Sequence, residues 1–151
     1  GYSKAEAKAF LEKFHAQFPT LSKFFEDQVQ RAKDAGETRT IFGHRRAVRE
    51  LFSARPMLRA FGERVALNAP IQGSASDIVK CAMIRLDEAL RKNGLHARLL
   101  IQVHDELLLE CPDDEVERTA SLLVDSMENA AQIGVPLKVE LKIGKTWADM
   151  A

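Results

Sequence analysis

The segment that most constrains the fold comprises residues 99–110, in which two apolar, alternating runs meet at the polar corner His104-Asp105-Glu106. Alternation with a period of two predicts β-strands, so the segment is expected to form a β-hairpin with one buried face. The residues expected on that face are Leu99, Ile101 and Val103 of the first arm and Leu107, Leu109 and Cys111 of the second.

The corner carries two carboxylates and an imidazole, and it lacks the Asn-Gly or glycine-rich signature of the commonest tight turns. Carboxylates at a strand tip suit Mg²⁺, which is held by one or two carboxylates together with waters and substrate phosphates. Asp105 is the better candidate ligand because it lies nearer the tip, whereas the side chain of Glu106 is expected on the opposite face. The alternative is a polar turn exposed to solvent.

Charge is distributed unevenly, although 22 basic and 22 acidic residues cancel over the chain. Residues 39–64 contain seven arginines and two glutamates, a net charge of +5, and residues 105–128 contain nine acids and one arginine, a net charge of −8. A basic stretch followed by an acidic one suits a protein that holds a polyanion and cations at different places, and two solvated faces are the alternative.

The two cysteines and the hydropathy of the chain indicate the kind of cellular compartment in which the protein is found. Cys81 and Cys111 lie in apolar patterns without a CxxC or Cys/His cluster, which predicts reduced cysteines in a reducing compartment and no zinc site. No apolar run approaches the ~18 residues of a membrane span, so no membrane association is expected.

Helix signals dominate the first two thirds of the chain. Ser3 and Glu6 form a capping-box pattern, and Gly36 is expected to end a second helix. Pro56 suits the first turn of a further helix. Because Pro70 cannot continue the hydrogen-bond ladder, we expect a break or kink there, followed by a separate helix over residues 71–93.

Two sets of polar residues could contact nucleic acid. A short hairpin around Gly43 is expected to carry Arg45 and Arg46 at a basic tip, where guanidinium groups can pair with phosphates. A kink near Pro70 would gather Arg64, Asn68 and Gln72, which can donate hydrogen bonds to the acceptors that every base pair shows in the minor groove. The alternatives are a solvated loop for the first set, and helix capping or solvent exposure for the second.

The pattern of the last third of the chain predicts a third strand for the sheet that the hairpin of residues 99–110 begins. Residues 137–143 alternate between apolar and charged, as expected of a strand with one buried face. A hairpin, a helix after Pro112 and this third strand make a compact layer. The predicted fold class is therefore α+β: an antiparallel palm-type sheet, formed by the β-hairpin plus a third strand, packed with several α-helices, and a helical N-terminal part.

Gln102-Val103-His104-Asp105-Glu106, followed by an apolar run, resembles the C-terminal catalytic motif of family A DNA polymerases, the bacterial DNA polymerase I type. The resemblance continues in the family's order and at its spacing over nearly the whole chain. Its further matches are Phe42-Gly43, Arg45-Arg46, Glu63-Arg64, Asn68-Ala69-Pro70-Ile71-Gln72-Gly73, Ala75, Asp77-Ile78, Lys80, Met127-Glu128-Asn129, Val135-Pro136-Leu137 and Trp147. The chain departs from the family where Ala47-Val48-Arg49-Glu50 replaces its usual Leu-Pro-Asp.

The resemblance implies a role for each candidate residue in template-directed nucleotidyl transfer to a primer 3′-hydroxyl. Asp105 would ligate metal, with two Mg²⁺ ions in the complete site, and Glu106 would support that site more weakly. His104 would touch the primer terminus. The residues implied to contact primer–template DNA are Arg64, Asn68 and Gln72 in the minor groove, and Arg45 and Arg46 on the backbone. Residues 1–70 would form a fingers-side segment, and residues 71–151 a palm segment.

The family's other metal-binding aspartate lies in an Asp-Tyr-Ser-x-Ile-Glu motif, which does not occur here. The nucleotide-gripping helix of the fingers and the exonuclease motifs are also absent. We therefore expect a C-terminal fragment that is inactive alone and needs the missing N-terminal part of the polymerase, with primer–template DNA and deoxynucleoside triphosphates as its other partners. The expected location is the bacterial cytoplasm at the nucleoid, or another reducing compartment that contains DNA.

The sequence leaves two alternative functions open. A non-catalytic DNA-binding or assembly module of polymerase-like shape is favoured by the missing aspartate. A stand-alone metal-dependent hydrolase has little support, because one carboxylate corner without a second ligand set is a poor two-metal site.

Overall fold

The computed structural model describes residues 3–150. Within them the chain forms four α-helices, two two-stranded antiparallel sheets and three short 3₁₀ helices. The main elements are α1 (Lys4–Gln17), α2 (Pro19–Ala35), β1 (Glu37–Arg39), β2 (Arg45–Ala47), α3 (Pro56–Lys92), β3 (Arg98–Val103), β4 (Glu106–Glu110) and α4 (Val116–Glu128). This content confirms the predicted α+β class. None of the helices over the described range is long and apolar enough to cross a bilayer.

The described residues divide into two compact units between Ser74 and Ala75. In the first unit the predicted capping box is present at α1: the backbone N–H of Ser3 donates to Glu6 Oε2 at 2.7 Å, and the N–H of Glu6 donates back to Ser3 Oγ at 3.3 Å. Helix α2 ends at Gly36, whose φ of 69° is the left-handed value that glycine adopts without strain.

The core of the first unit is small. It consists of Ala32, Val48, Leu51 and Ala66, with Val65 packed against them. Leu51 belongs to the 3₁₀ helix Arg49–Phe52, whose backbone approaches α3 at Gly62. This close approach requires a residue without a side chain at position 62.

Of the break or kink expected at Pro70, the break and the separate helix over residues 71–93 are wrong, because α3 is one continuous helix of 37 residues. The kink stays a prediction. Proline has no N–H to donate to the carbonyl of Ala66, four residues earlier. The buried hydroxyl of Thr38 in β1 donates to that carbonyl instead, at the long distance of 3.5 Å. Ser74 Oγ donates to the Pro70 carbonyl and accepts the N–H of Ile41 at 2.9 Å. The β1–β2 hairpin thus satisfies polar groups around the proline turn, so the helix can run through it.

The second unit is built around the C-terminal half of α3. Its core consists of Leu86, Leu90 and Ala97. The helix ends in a Schellman motif: Gly94 has φ 64°, its N–H donates to the Arg91 carbonyl at 3.1 Å, and the N–H of Leu95 donates to the Leu90 carbonyl at 3.0 Å. Leu95 also packs against the core, as is usual for this motif.

The β3–β4 hairpin is present, but its buried face differs from the prediction. On the second arm Leu107, Leu109 and Cys111 pack against the core as expected. On the first arm the pairing shifts between Leu99 and Ile101, which leaves Leu100 as a bulge. Because one extra residue reverses the alternation, Leu99 lies opposite Leu109, whereas Ile101 lies opposite Leu108 on the other face. The prediction that Leu99, Ile101 and Val103 share a face is therefore wrong.

The predicted third strand over residues 137–143 is not formed among the described residues, so neither sheet has a third strand. The alternation of burial survives only at Leu137 and Val139, which are half-buried between exposed charged neighbours. The N–H of Val139 donates to Glu128 Oε1 at 3.2 Å. A carboxylate of α4 thus takes the place of a strand partner there.

A histidine–glutamate pair joins the residues before β3 to the 3₁₀ helix Asp113–Glu115. The backbone N–H of His96 donates to Glu115 Oε2 at 2.7 Å, and His96 Nδ1 lies 2.7 Å from Oε1. The hydrogen bond to Glu115 raises the pKa of His96 above its usual 6.5, and the bond from His96 lowers the pKa of Glu115 below 4.5. The pair therefore stabilises the contact between His96 and the 3₁₀ helix only at pH values where the histidine is protonated and the glutamate is ionised.

A raised histidine pKa contributes stability below pH 6.5 that is lost as the pH rises through the folded-state value. A lowered glutamate pKa contributes stability above pH 4.5 that is lost as the pH falls through the folded-state value. We expect His96→Ala to lower the melting temperature most between pH 4.5 and 6.5. Thermal melts of the wild type and of His96→Ala across that range and at about pH 9 measure the effect. An equal difference at every pH would contradict the pairing.

Candidate active-site turn and nucleic-acid interface

His104 and Asp105 are the two central residues of the turn between β3 and β4, because Val103 pairs with Glu106. His104 has φ 54°, and it is the only non-glycine residue of the described range with positive φ. Among two-residue hairpin turns, positive φ at the first central residue alone is the pattern of type II′, in which glycine is usual at that position. The amide of Gln102 donates to the His104 carbonyl and braces the turn.

The three corner side chains are exposed, and none of them has an ion-pair or hydrogen-bond partner within residues 3–150. The Asp105 carboxylate is thus open to a ligand at the turn. One free carboxylate matches the way Mg²⁺ is held, by one or two carboxylates with waters and substrate phosphates completing the shell. No group of three potential metal-ligating side chains occurs in the described part of the chain. Any metal ion at the turn would therefore need further ligands from outside it.

The turn geometry predicts a stability effect at His104. Replacing it with glycine removes the strain of a side chain at positive φ, so we expect His104→Gly to raise the free energy of unfolding by about 0.5–1 kcal/mol. Urea titration of the wild type and of His104→Gly measures the change in the free energy of unfolding. Asp105→Gly is the matched control: its φ is not positive, so it should lower stability. A destabilised His104→Gly chain would contradict the strain assignment.

The structure places Arg64, Asn68 and Gln72 on α3 in the first unit, each exposed and each four residues from the next. This spacing brings them to one side of a continuous helix without the expected break. The side chains of Asn68 and Gln72 make no hydrogen bond to another residue of the described range, and the Arg64 guanidinium lies 5.8 Å from the Phe61 ring centre. The face can therefore donate hydrogen bonds to a ligand.

The basic hairpin separates its two predicted arginines. Arg45 lies opposite Arg39 and Arg46 lies opposite Thr38, so Arg45 and Arg46 belong to opposite faces of the β1–β2 sheet. Sequence reasoning missed Arg39, which shares a face with Arg45. The signal was present, since Arg39 and Arg45 lie at similar distances on either side of the turn, but using it requires the strand register.

A sequence profile described as DNA polymerase family A matches residues 1–149. The chain belongs to this family. Among curated family A relatives it is 46% identical to DNA polymerase I of Bacillus caldotenax over 147 residues, and 44% identical to DNA polymerase I of Bacillus subtilis (strain 168) over 149 residues. These alignments cover 97% and 99% of this chain and 17% of each relative. The chain thus spans about a sixth of the length of the curated relatives that it matches.

A solved family A structure is also similar. It is the POL domain of Pol1 from M. smegmatis in complex with a DNA primer–template and dNTP. The match has a TM-score of 0.94 and 42% sequence identity, and it covers 98% of this chain and 26% of that one. The family prediction made from the His-Asp-Glu corner and its flanking motifs is therefore confirmed.

Proposed function

We propose that this chain works as the C-terminal part of a DNA-directed DNA polymerase, with residues 71–151 as a palm segment and residues 1–70 as a fingers-side segment. The observation that carries the proposal is the exposed His104-Asp105 turn, with an unpaired carboxylate, in a chain matched over residues 1–149 by the family A profile. The reaction is attack of a primer 3′-hydroxyl on the α-phosphate of a deoxynucleoside triphosphate.

In this proposal Asp105 is the metal ligand. Its exposure at the tip of the turn leaves both carboxylate oxygens accessible. Two Mg²⁺ ions in the complete site would supply charge stabilisation at the attacking and leaving oxygens. Glu106 lies opposite Val103, on the same face of the hairpin as Ile101 and Leu108, so it supports the site from beside the turn. His104, held at positive φ, presents its imidazole beside the carboxylate for contact with the primer terminus.

The α3 face is proposed to contact the minor groove of the primer–template. Arg64, Asn68 and Gln72 offer guanidinium and amide donors, and minor-groove acceptors are common to all base pairs. Contacts of this kind sense the geometry of a base pair rather than its sequence. On the hairpin, Arg45 is proposed to contact the DNA backbone, and the same contact by Arg46 stays a prediction from the sequence.

The proposed partners are primer–template DNA, deoxynucleoside triphosphates and the remaining polymerase segments. The M. smegmatis structure, which contains a primer–template and dNTP, supports the first two. The 17% coverage of the DNA polymerase I relatives supports the third. Cys81 and Cys111 are free thiols, which supports a reducing, DNA-containing compartment, in a bacterium the cytoplasm at the nucleoid.

The function is tested by titrating labelled primer–template into the chain, with and without Mg²⁺ at two salt concentrations, alongside primer extension. Binding that weakens with salt, without extension by the chain alone, supports a polymerase segment that lacks its second metal-binding carboxylate. Extension by the isolated chain would overturn the view that the catalytic site is completed elsewhere. Absence of DNA binding at low salt would overturn the proposed interface.

A second candidate is a non-catalytic DNA-binding or assembly module of polymerase-like fold. It is favoured by one observation, the absence of any three-residue metal-ligating group within residues 3–150. The two candidates differ in a polymerase that contains this chain, where only the first requires the Asp105 carboxylate for nucleotide incorporation.

Gln72→Ala in such a polymerase is expected to slow primer extension while leaving the fold intact. Gln72 is exposed on α3, and its side chain makes no hydrogen bond to another described residue. Its replacement by alanine therefore removes a contact to DNA and little else. One lost hydrogen bond to the DNA corresponds to about 1 kcal/mol, or roughly fivefold in the extension rate. Single-turnover extension from matched and mismatched termini measures this. Unchanged rates on both termini would contradict the minor-groove role.

A further inference from the structure

The β1–β2 sheet carries three charged side chains on one face. Arg39 and Arg45 are directly opposite each other, and Glu37 precedes Arg39 by two residues, so all three point to the same side of the sheet. Arg46 is on the other side, opposite the buried Thr38. We call the set Glu37, Arg39 and Arg45 the hairpin clamp.

Glu37 orients both arginines of the hairpin clamp. Its Oε1 accepts hydrogen bonds from Nε and Nη2 of Arg39 at 2.9 and 2.7 Å, and its Oε2 lies 3.6 Å from Nε of Arg45. These contacts use the Nε side of each guanidinium. The Nη1 ends, and the remaining N–H groups of both forks, stay available to a second anion.

The electrostatics favour such an anion. Like charges directly opposite each other in a sheet repel, and one carboxylate neutralises only one of the two arginines. The clamp therefore carries a net charge of +1. Side-chain exposures of 59% for Arg39 and 65% for Arg45 leave both groups in contact with solvent, on an open strand surface rather than inside a cavity. An open surface with two forks suits an extended polyanion, and a phosphate oxygen pair matches the guanidinium fork.

The hairpin is also held in place. Ser74 Oγ accepts the Ile41 N–H, and the Thr38 hydroxyl reaches the Ala66 carbonyl, so the hairpin is bonded to α3 on both sides of Pro70. The clamp is thus fixed to the helical segment that carries Asn68 and Gln72.

We infer that Arg39 and Arg45, oriented by Glu37, bind a phosphodiester group of the nucleic-acid backbone. This inference rests on the proposed DNA-binding function and adds Arg39 and Glu37 to it. Arg39 and Arg45 are the binding residues, and Glu37 is a positioning residue.

The test measures binding of the 151-residue chain to a fluorescently labelled primer–template by anisotropy at four salt concentrations. Each neutralised phosphate contributes about 0.9 to the slope of log K against log salt concentration. Removing either arginine leaves the clamp with no net charge, so we expect Arg39→Ala and Arg45→Ala each to reduce the magnitude of that slope by about 0.9. Arg39→Lys keeps the charge and should retain the slope.

Arg91→Ala is the matched control, because Arg91 is an exposed arginine paired with a carboxylate, Asp87, at 2.9 Å. Its slope should equal that of the wild type. Wild-type slopes for Arg39→Ala and Arg45→Ala, in a chain that does bind DNA, would overturn the clamp together with the proposed Arg45 contact. They would leave the proposed polymerase function and the α3 contacts standing. A wild-type chain without salt-dependent binding would overturn both. Arg45→Ala removes only the 3.6 Å contact, so it remains informative if Arg39→Ala fails to fold.

Discussion

Asp105→Ala, in a polymerase that contains this chain, is expected to lose nearly all nucleotide incorporation and to keep its affinity for primer–template DNA. The Asp105 carboxylate is exposed at the turn and has no partner in the described residues, so its removal disrupts no internal contact. A metal ion that stabilises the charge on the reacting oxygens contributes several kcal/mol, which corresponds to a rate loss on the order of 10³-fold. Single-turnover incorporation and DNA binding by anisotropy measure the two properties separately.

Asp114→Ala is the control for this experiment. Asp114 is an exposed carboxylate of the 3₁₀ helix Asp113–Glu115, in the same unit as Asp105 but away from the turn. Its removal should leave incorporation near the wild-type rate. Near-normal incorporation by Asp105→Ala would refute the metal assignment and favour the non-catalytic module.

Gly62→Ala is expected to produce the largest loss of stability. A Cβ at position 62 would lie 2.7 Å from the backbone nitrogen of Leu51 and 2.9 Å from the carbonyl carbon of Glu50. Both contacts are with backbone, so they can be relieved only by moving the 3₁₀ helix Arg49–Phe52 away from α3. That movement would open the core around Leu51 and Ala66. Alanine favours a helix over glycine by about 1 kcal/mol, yet the overpacking should leave a net loss of about 2 kcal/mol.

Urea unfolding of the wild type and Gly62→Ala measures this loss. Gly73→Ala is the informative comparison, because its added Cβ would meet only a side-chain methyl, Thr40 Cγ2, at 2.7 Å. Its smaller destabilisation should be relieved by the second change Thr40→Ser, which removes that methyl. A Gly62→Ala chain as stable as the wild type would show that the 3₁₀ helix does not require the close approach.

Local signals in the sequence predicted the ends of several elements. The Ser3–Glu6 capping box and Gly36 act within a few residues, and the structure confirms both. The helix end predicted at residue 93 is likewise close to the observed end of α3 at Lys92. The candidate residues for DNA contact on α3 were also accessible from the sequence, because a spacing of four places residues on one side of any helix.

Pro70 shows where local reasoning fails. Its missing N–H predicts a break or a kink, and the helix is not broken, because the Thr38 hydroxyl, 28 residues earlier, donates to the Ala66 carbonyl. A hydrogen bond between segments that are far apart in the sequence cannot be predicted from the residues next to the proline. The same holds for residues 137–143, where alternation predicts a strand but a carboxylate of α4, rather than a neighbouring strand, meets the Val139 N–H.

The sequence by itself determined the family, the α+β class, both hairpins and the acidic turn with Asp105, because these depend on motif order, on alternation and on residues close together in the chain. Only the tertiary structure decided which strand side chains share a face of each sheet. The bulge at Leu100 and the pairing of Arg39 with Arg45 are set by the register between two strands, and a shift of one residue reverses every side chain. Register depends on the geometry of the turn and on which face of the hairpin is buried, so the hairpin clamp was identified only from the folded structure.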